Sequence, residues 1–259
     1  MKKISTLRRI FTFERVILQI TNPPKIFFCN ICGGRRLLIR TDKAVRVGSR
    51  CLSCHSTVHH RGMHLVLTKI FDRHLSKLSN SNIYEISAHG ALYNYFKKNE
   101  KKLNYKLYYS EFLDGWLPGK TYNGVRCEDV QSLTFRDNFF KLITSTGLME
   151  HVEDDQKSYK EIYRVLKHQG YYIFTVPLMV SNKKTIIRAI RDENNVVKNI
   201  LEPEYHGDPF RGDKGVFTWR NYGTDIIEVL NSVGFEAYID NVYVKEINDF
   251  MPVIVAKKN

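Results

Sequence analysis

Four of the five cysteines in this 259-residue chain fall as two pairs, Cys29-x-x-Cys32 and Cys51-x-x-Cys54. Each C-x-x-C turn presents two sulfurs from one knuckle, and two knuckles close a tetrahedral thiolate shell around zinc. Gly33 and Gly34 follow the first pair and permit the positive φ that such turns use. A closed shell leaves no position for water or substrate, so the predicted role of a Zn2+ ion on Cys29, Cys32, Cys51 and Cys54 is structural. A disulfide framework fits poorly with a chain read as cytoplasmic. His55, His59, His60 and His64 crowd behind the second pair and are expected to line a helix starting near Ser56, and Cys127 is expected to be a small buried residue.

A second concentration of reactive side chains lies in 203–222, PEYHGDPFRGDKGVFTWRNYG. Loops that mix Tyr205, His206, Asp208, Arg211, Trp219 and Tyr222 commonly bind something. His206 is the candidate general base, because an imidazole titrates near neutrality. Its bland alternative is a hydrogen-bonded loop histidine. Tyr205 and His151 complete the catalytic candidates, with His151 equally readable as a brace for the loop that follows it.

These groups need elements to position them. From Asn82 onward, strand and helix patterns alternate, which predicts a parallel sheet in an α/β fold. The strands are expected at Ile83–Ile86, Lys106–Ser110, Arg126–Val130, Phe139–Ser145 and Tyr171–Val176. A helix capped by Asp154 or Asp155 is expected to stop at Gly170, and another to open at Thr224 and stop at Gly234. Two last strands, near Ala237–Val244 and Pro252–Ala256, read as an antiparallel edge hairpin.

The run from Arg126 to Pro177 reads RCEDVQSLTFRDNFFKLITSTGLMEHVEDDQKSYKEIYRVLKHQGYYIFTVP. With the strand–turn–helix of NIYEISAHGALYNYFK at 82–97, it resembles the class I S-adenosylmethionine-dependent methyltransferases. The likeness is to the type 11-like subgroup reading D-x-x-x-L-P-F-x-D-x-x-F-D, L-E-H-V and R-V-L-K-P-G-G. It spans about residues 82–245 and leaves the cysteine module outside. It implies a Rossmann-like seven-stranded methyltransferase sheet and S-adenosylmethionine as cofactor. By the same likeness Glu85, Ser87, Ala88, His89 and Gly90 form the first cofactor turn, although only one glycine of the usual set is present. Glu111 would take the ribose hydroxyls, Asp129 and Val130 the adenine amino group and ring, Thr146 and Gly147 would border the sulfonium, and Leu148 would pack on the adenine.

The domains expected are a basic amphipathic helix in 1–25, a zinc ribbon in 26–60 and the methyltransferase domain in 61–259, with 178–222 covering the substrate. Residues 1–78 contain 16 Lys and Arg against 3 Asp and Glu, which is the whole formal charge of +13; residues 79–259 hold 24 of each. The basic part is expected to meet an acidic partner, RNA or an anionic surface, or else to be a solvated face. The neutral catalytic part favours O-methylation of a small-molecule or glycan-type acceptor. An RNA methyltransferase gripping phosphates through the ribbon, and a non-catalytic binding protein of the same fold, remain the alternatives. No transmembrane segment is expected, since no stretch of 18 apolar residues occurs.

Overall fold

In the computed structural model, residues 17–18, 20–113, 115–208 and 212–259 are described. Most of the amphipathic helix expected in 1–25 lies outside them; residues 17, 18, 20 and 21 are helical. The chain divides into two compact units. One comprises residues 1–77, 89–103 and 241–253, the other residues 78–88, 104–240 and 254–259.

In the first unit, strands β1 (Lys25–Phe28), β2 (Arg35–Arg40) and β3 (Ser49–Cys51) form an antiparallel sheet in that order. A helical turn α1 (Val45–Gly48) precedes β3, and helix α2 (Val58–Ile70) follows it. Thr57 and His60 cap α2 reciprocally: the Thr57 N–H donates to His60 Nδ1 at 3.1 Å, and Thr57 Oγ1 lies 2.8 Å from the same nitrogen. Helix α3 (Gly90–Leu103) belongs to the same unit, and its Tyr95 ring stands edge-on to His64 of α2 at 4.7 Å. Burial lowers the His64 pKa to about 4.

The anchor of this unit is a buried guanidinium. Arg61 is 1% exposed. It donates to the Ser56 carbonyl at 2.6 Å and the Ser49 carbonyl at 3.2 Å, and pairs with Glu246. The Phe27 ring lies beneath it at 5.2 Å. One side chain thus ties together the segments flanking the second cysteine pair.

The second unit carries most of an eight-stranded mixed sheet. Its strands are β4 (Asn82–Glu85), β5 (Lys106–Glu111), β6 (Thr121–Tyr122), β7 (Val125–Cys127), β8 (Phe140–Thr146), β9 (Leu166–Thr175), β16 (Phe235–Val244) and β17 (Asp249–Lys258), in the order β16-β17-β9-β8-β4-β5-β7-β6. Pairs β4–β5, β4–β8, β8–β9 and β5–β7 are parallel, while β17 runs antiparallel to β9. The strand order reverses between β8 and β4, so both of these strands end at the switch point where open α/β sheets bind ligands. The eighth strand, absent from the seven-stranded expectation, is the two-residue β6 paired antiparallel to β7.

Helices α4 (Asp155–Val165) and α5 (Ile226–Val233) supply the apolar cover of this unit. Tyr159, Ile162 and Val165 of α4 and Ile226 and Leu230 of α5 share one core with Tyr172, Phe174 and Ile254 of the sheet. Asp154 caps α4 by accepting the Lys157 N–H at 2.9 Å. Between β9 and α5, β10 (Ile186–Ile187) pairs with β15 (Arg220–Asn221), β11 (Ala189–Arg191) with β12 (Val197–Asn199), and β13 (Tyr205–Asp208) with β14 (Gly212–Phe217).

Three expected boundaries move. Helix α4 ends at Val165, not Gly170, because Leu166 already pairs with Phe140 in the sheet. Gly170 serves close approach: a Cβ there would lie 2.7 Å from the Lys167 carbonyl. Strand β7 stops at Cys127, so Asp129 and Val130 sit in the following loop. Helix α5 opens at Ile226 rather than Thr224, and the Asp225 carboxylate instead holds Thr185 at 2.6 Å through its hydroxyl.

Replacing Arg61 by Ala strands Glu246 and two carbonyls. Stability should fall by about 3 kcal/mol, read as a lowered midpoint of urea unfolding. Arg61→Lys should recover little, since an ammonium cannot span three acceptors in the guanidinium's fixed fork.

Candidate functional site

The rim formed by the C-terminal ends of the parallel strands collects the second unit's share of the expected cofactor residues. Glu85 ends β4 and is 3% exposed. It accepts a hydrogen bond from the Thr144 hydroxyl of β8. Burial pushes its carboxyl up to about 8. Glu111 ends β5, and its Oε1 accepts the Ala88 N–H at 2.7 Å and the Ser87 hydroxyl at 3.2 Å. The first turn and the second strand are therefore joined through one carboxylate oxygen. Asp129 accepts the Gln131 N–H at 2.9 Å, and Val130 beside it is buried. His89 and Gly90 lie in the other compact unit, where Gly90 opens α3 at φ +92°. An L side chain is strained at that angle, so the single retained glycine stands where the backbone requires one.

Beyond β8 the chain turns sharply. Gly147 has φ +58°, and its N–H donates to the Thr175 carbonyl at 2.8 Å. Leu148 then leads into a 3-10 turn at Met149–His151. A Cβ built on Gly147 would lie 3.4 Å from Glu150 Oε1, so the Glu150 carboxylate reaches back to the turn that Thr146 and Gly147 form.

Glu150 is the centre of a cluster that combines two of the catalytic candidates. His151 Nε2 and His206 Nδ1 each stand 3.8 Å from Glu150 Oε1. The two imidazoles meet edge-to-face at 4.9 Å. The outer nitrogen of each ring is engaged: His151 Nδ1 lies 2.8 Å from the Phe217 carbonyl, and His206 Nε2 lies 2.9 Å from Glu204 Oε1. Both partners are acceptors, so each outer nitrogen carries a proton, and in the neutral ring the lone pair sits on the inner nitrogen that faces Glu150. The Glu150 carboxylate, and Glu204 behind it, raise the His206 pKa above its ordinary 6.5, against the opposing effect of burial. Tyr205 is not part of the cluster; it is 57% exposed and packs on Phe217. The side chains of Asp208 and Arg211 lie outside the described residues.

The segment after β9 holds this cluster in place. Buried Arg220 donates to the Val152 carbonyl at 2.6 Å and to the Glu153 carbonyl. The Tyr222 hydroxyl donates to Asp155 at 2.8 Å, and the Trp219 N–H donates to the Glu150 carbonyl at 2.8 Å. Glu204, Arg220 and the pivotal place of Glu150 are what sequence reasoning missed. The one local signal was Glu204 two residues before His206, a spacing that puts both side chains on one face of a strand.

In the first unit the four cysteine sulfurs come together. Cys29 and Cys54 are 3.7 Å apart, Cys32 and Cys51 are 3.9 Å apart, and all four sulfurs lie within 4.8 Å of one another. A tetrahedral zinc with bonds of about 2.3 Å separates its sulfurs by about 3.8 Å, so the set fits that ion. None of the five cysteines is in a disulfide, and Cys127 is buried.

Two families described as methyltransferase domains match the sequence, one over residues 70–174 and the other over 124–229. No curated protein matches it. Among solved structures, the fold is similar to an S-adenosylmethionine-dependent methyltransferase of Mesorhizobium loti at 12% identity, covering 70% of this chain and 92% of that one, with a TM-score of 0.45. It is similar to a methyltransferase of Aquifex aeolicus at 13% identity, over 76% and 89% of the chains, with a TM-score of 0.44. The 1,6-didemethyltoxoflavin-N1-methyltransferase of Burkholderia thailandensis is similar at 13% identity, over 76% and 78%, with a TM-score of 0.44. The α/β sheet is that of a methyltransferase domain, and on the two domain matches the protein is a methyltransferase enzyme.

The raised Glu85 carboxyl makes a prediction. Its folded pKa of about 8 exceeds the ordinary 4.5, so the folded protein holds a proton that the unfolded chain releases. That contribution to stability is complete below about 4.5 and is lost as pH rises through about 8. Unfolding free energies measured between pH 5 and pH 9 should decline by on the order of 3 kcal/mol, and Glu85→Gln should flatten the decline.

Proposed function

We propose that this methyltransferase acts on a hydroxyl of a small-molecule or glycan-type acceptor, and that Glu150, His151 and His206 form the acceptor end of its site. The single observation carrying this reading is the reach of Glu150 Oε1 to within 3.4 Å of a Cβ position on Gly147. In the proposed arrangement Thr146 and Gly147 border the donor sulfur and Leu148 packs on the adenine, so the imidazoles stand next to the transferred methyl. Within the second unit, Glu85, Ser87 and Ala88 take the methionine part, Glu111 takes the ribose hydroxyls, and Asp129 with Val130 takes the adenine. The equal numbers of basic and acidic residues in 79–259 support a small or neutral acceptor over a nucleic acid.

Bound S-adenosylmethionine supplies the methyl group on a positively charged sulfur, already activated for displacement. The chain's work is alignment and proton removal. His206 Nδ1 would receive the acceptor hydroxyl's proton, leaving an oxygen nucleophile aligned toward the methyl group that S-adenosylmethionine would supply. The resulting imidazolium lies between Glu150 and Glu204, the two carboxylates that favour its charge. His151 keeps its Nδ1–H on the Phe217 carbonyl and positions the Glu150 side.

The Cys29–Cys32–Cys51–Cys54 cluster holds one structural Zn2+, supported by sulfur separations of 3.7 and 3.9 Å. Purified protein should contain one zinc per chain, measured by elemental analysis. Cys51→Ser should lose that zinc and lower the stability of the unit that carries it.

Tritiated methyl groups from S-adenosylmethionine, supplied with fractionated cell extract, should enter a small-molecule or glycan fraction as a base-stable ether. Entry into RNA alone would instead support the RNA reading, and absence of cofactor binding in calorimetry the non-catalytic one. With the acceptor in hand, His206→Ala should lower kcat by about 10²- to 10⁴-fold while S-adenosylmethionine affinity is kept. Activity should rise with pH through a midpoint above 6.5, since the neutral imidazole is the working form. Glu204→Gln should move that midpoint down by removing one of the carboxylates that hold the imidazolium.

A further inference from the structure

We propose that Glu150, His151 and His206 also form a binding site for one divalent transition-metal cation, distinct from the four-cysteine cluster. Their ligand atoms, two imidazole nitrogens and a carboxylate oxygen, lie within 4.8 Å of one another. Two histidines and one carboxylate make a donor set suited to Fe2+, Co2+, Mn2+ or Zn2+ with positions left open for a further ligand. Bonds of about 2.0–2.2 Å would draw the three atoms closer than they now stand.

Two independent features mark the cluster as built for a cation. The first is the outer partner of each ring. The Phe217 carbonyl and the Glu204 carboxylate fix the tautomers so that both inner lone pairs converge on Glu150. Histidine ligands of metals carry this kind of outer hydrogen bond, which orients the ring and raises its basicity. The second is Glu150 itself. The residue is 2% exposed, and among the described residues its Oε2 is buried with no hydrogen-bond partner. A buried carboxylate oxygen left unpaired is costly, and a cation beside it removes that cost. Glu150 supplies one negative charge toward a divalent ion, while Glu204, paired with Arg188 at 3.0 Å, orients the His206 ring.

The chemical role rests on the methyl-transfer reading, although the site does not. An acceptor hydroxyl on the open side of the cation would lose its proton more readily, because a bound cation lowers the pKa of oxygen ligands. In the cation-bound form His206 Nδ1 is a ligand and the proton passes to solvent, whereas its base role belongs to the cation-free form.

The test uses full-length protein with its cysteine site saturated with zinc. Co2+ is added by equilibrium dialysis, with metal analysis and absorption spectra, to wild type, Glu150→Gln and His206→Ala. The proposal expects one Co2+ per chain beyond the zinc, without a thiolate charge-transfer band, and at least tenfold weaker binding in both variants. Circular dichroism checks that the variants are folded. Should either misfold, displacement of the His151 and His206 ring signals by Co2+ in wild-type nuclear magnetic resonance spectra decides instead. No Co2+ beyond the zinc, uptake undiminished in folded variants, or undisplaced ring signals would overturn the site. Calorimetry with S-adenosylmethionine on the same samples separates the two readings. Cofactor binding without Co2+ uptake refutes only the metal site, and Co2+ uptake without cofactor binding refutes only the assignment of function.

Discussion

The site is organised around one buried carboxylate whose position the backbone enforces. Glu150 follows β8 by four residues and reaches back to Gly147. That reach depends on a turn of positive φ and on a segment more than sixty residues later. Arg220 holds the carbonyls of Val152 and Glu153, and Tyr222 holds Asp155. Without that clamp the 3-10 turn at Met149–His151 would have little to fix it, because so short a helix carries few internal hydrogen bonds. His151 and His206 face Glu150 because the Phe217 carbonyl and Glu204 hold their outer nitrogens while the clamp holds the carboxylate between them.

The second organising charge is equally buried and wholly separate. Arg61 satisfies two carbonyls and a carboxylate in the unit that carries the cysteines. Its contacts with Ser49 and Ser56 flank Cys51 and Cys54, so the thiolate cluster has a polar scaffold of its own. A small module with little apolar surface gains order from such contacts, and a metal on its four sulfurs would add to it.

Much of the architecture was legible because parallel strands buried on both faces read as apolar runs. Residues 142–145 and 172–174 are the buried stretches of this kind, and the alternation of such runs with helical spacing predicts the α/β sheet. The cysteine spacing was legible because a thiolate site is nearly local in sequence. Boundaries failed where long-range contacts overrule local preference. Leu166 leaves the helix to pair with Phe140, and Asp225 gives up capping to hold Thr185. Glu204 was invisible for a related reason: its meaning comes only from the fold bringing His206 to Glu150.

The first turn shows where a family pattern and physical need diverge. The resemblance calls for a glycine-rich turn, yet only Gly90 occupies a strained φ there. Ser87 and Ala88 are instead held by Glu111, through the hydroxyl of the one and the N–H of the other. A carboxylate does the tethering that close glycine packing would otherwise do. A crystal structure with S-adenosylhomocysteine tests the central claim most directly. The account predicts the sulfur against Gly147, on the side that Glu150 reaches, with the ribose hydroxyls on Glu111. A nucleoside bound elsewhere, or a sulfur turned away from Glu150, His151 and His206, would contradict it.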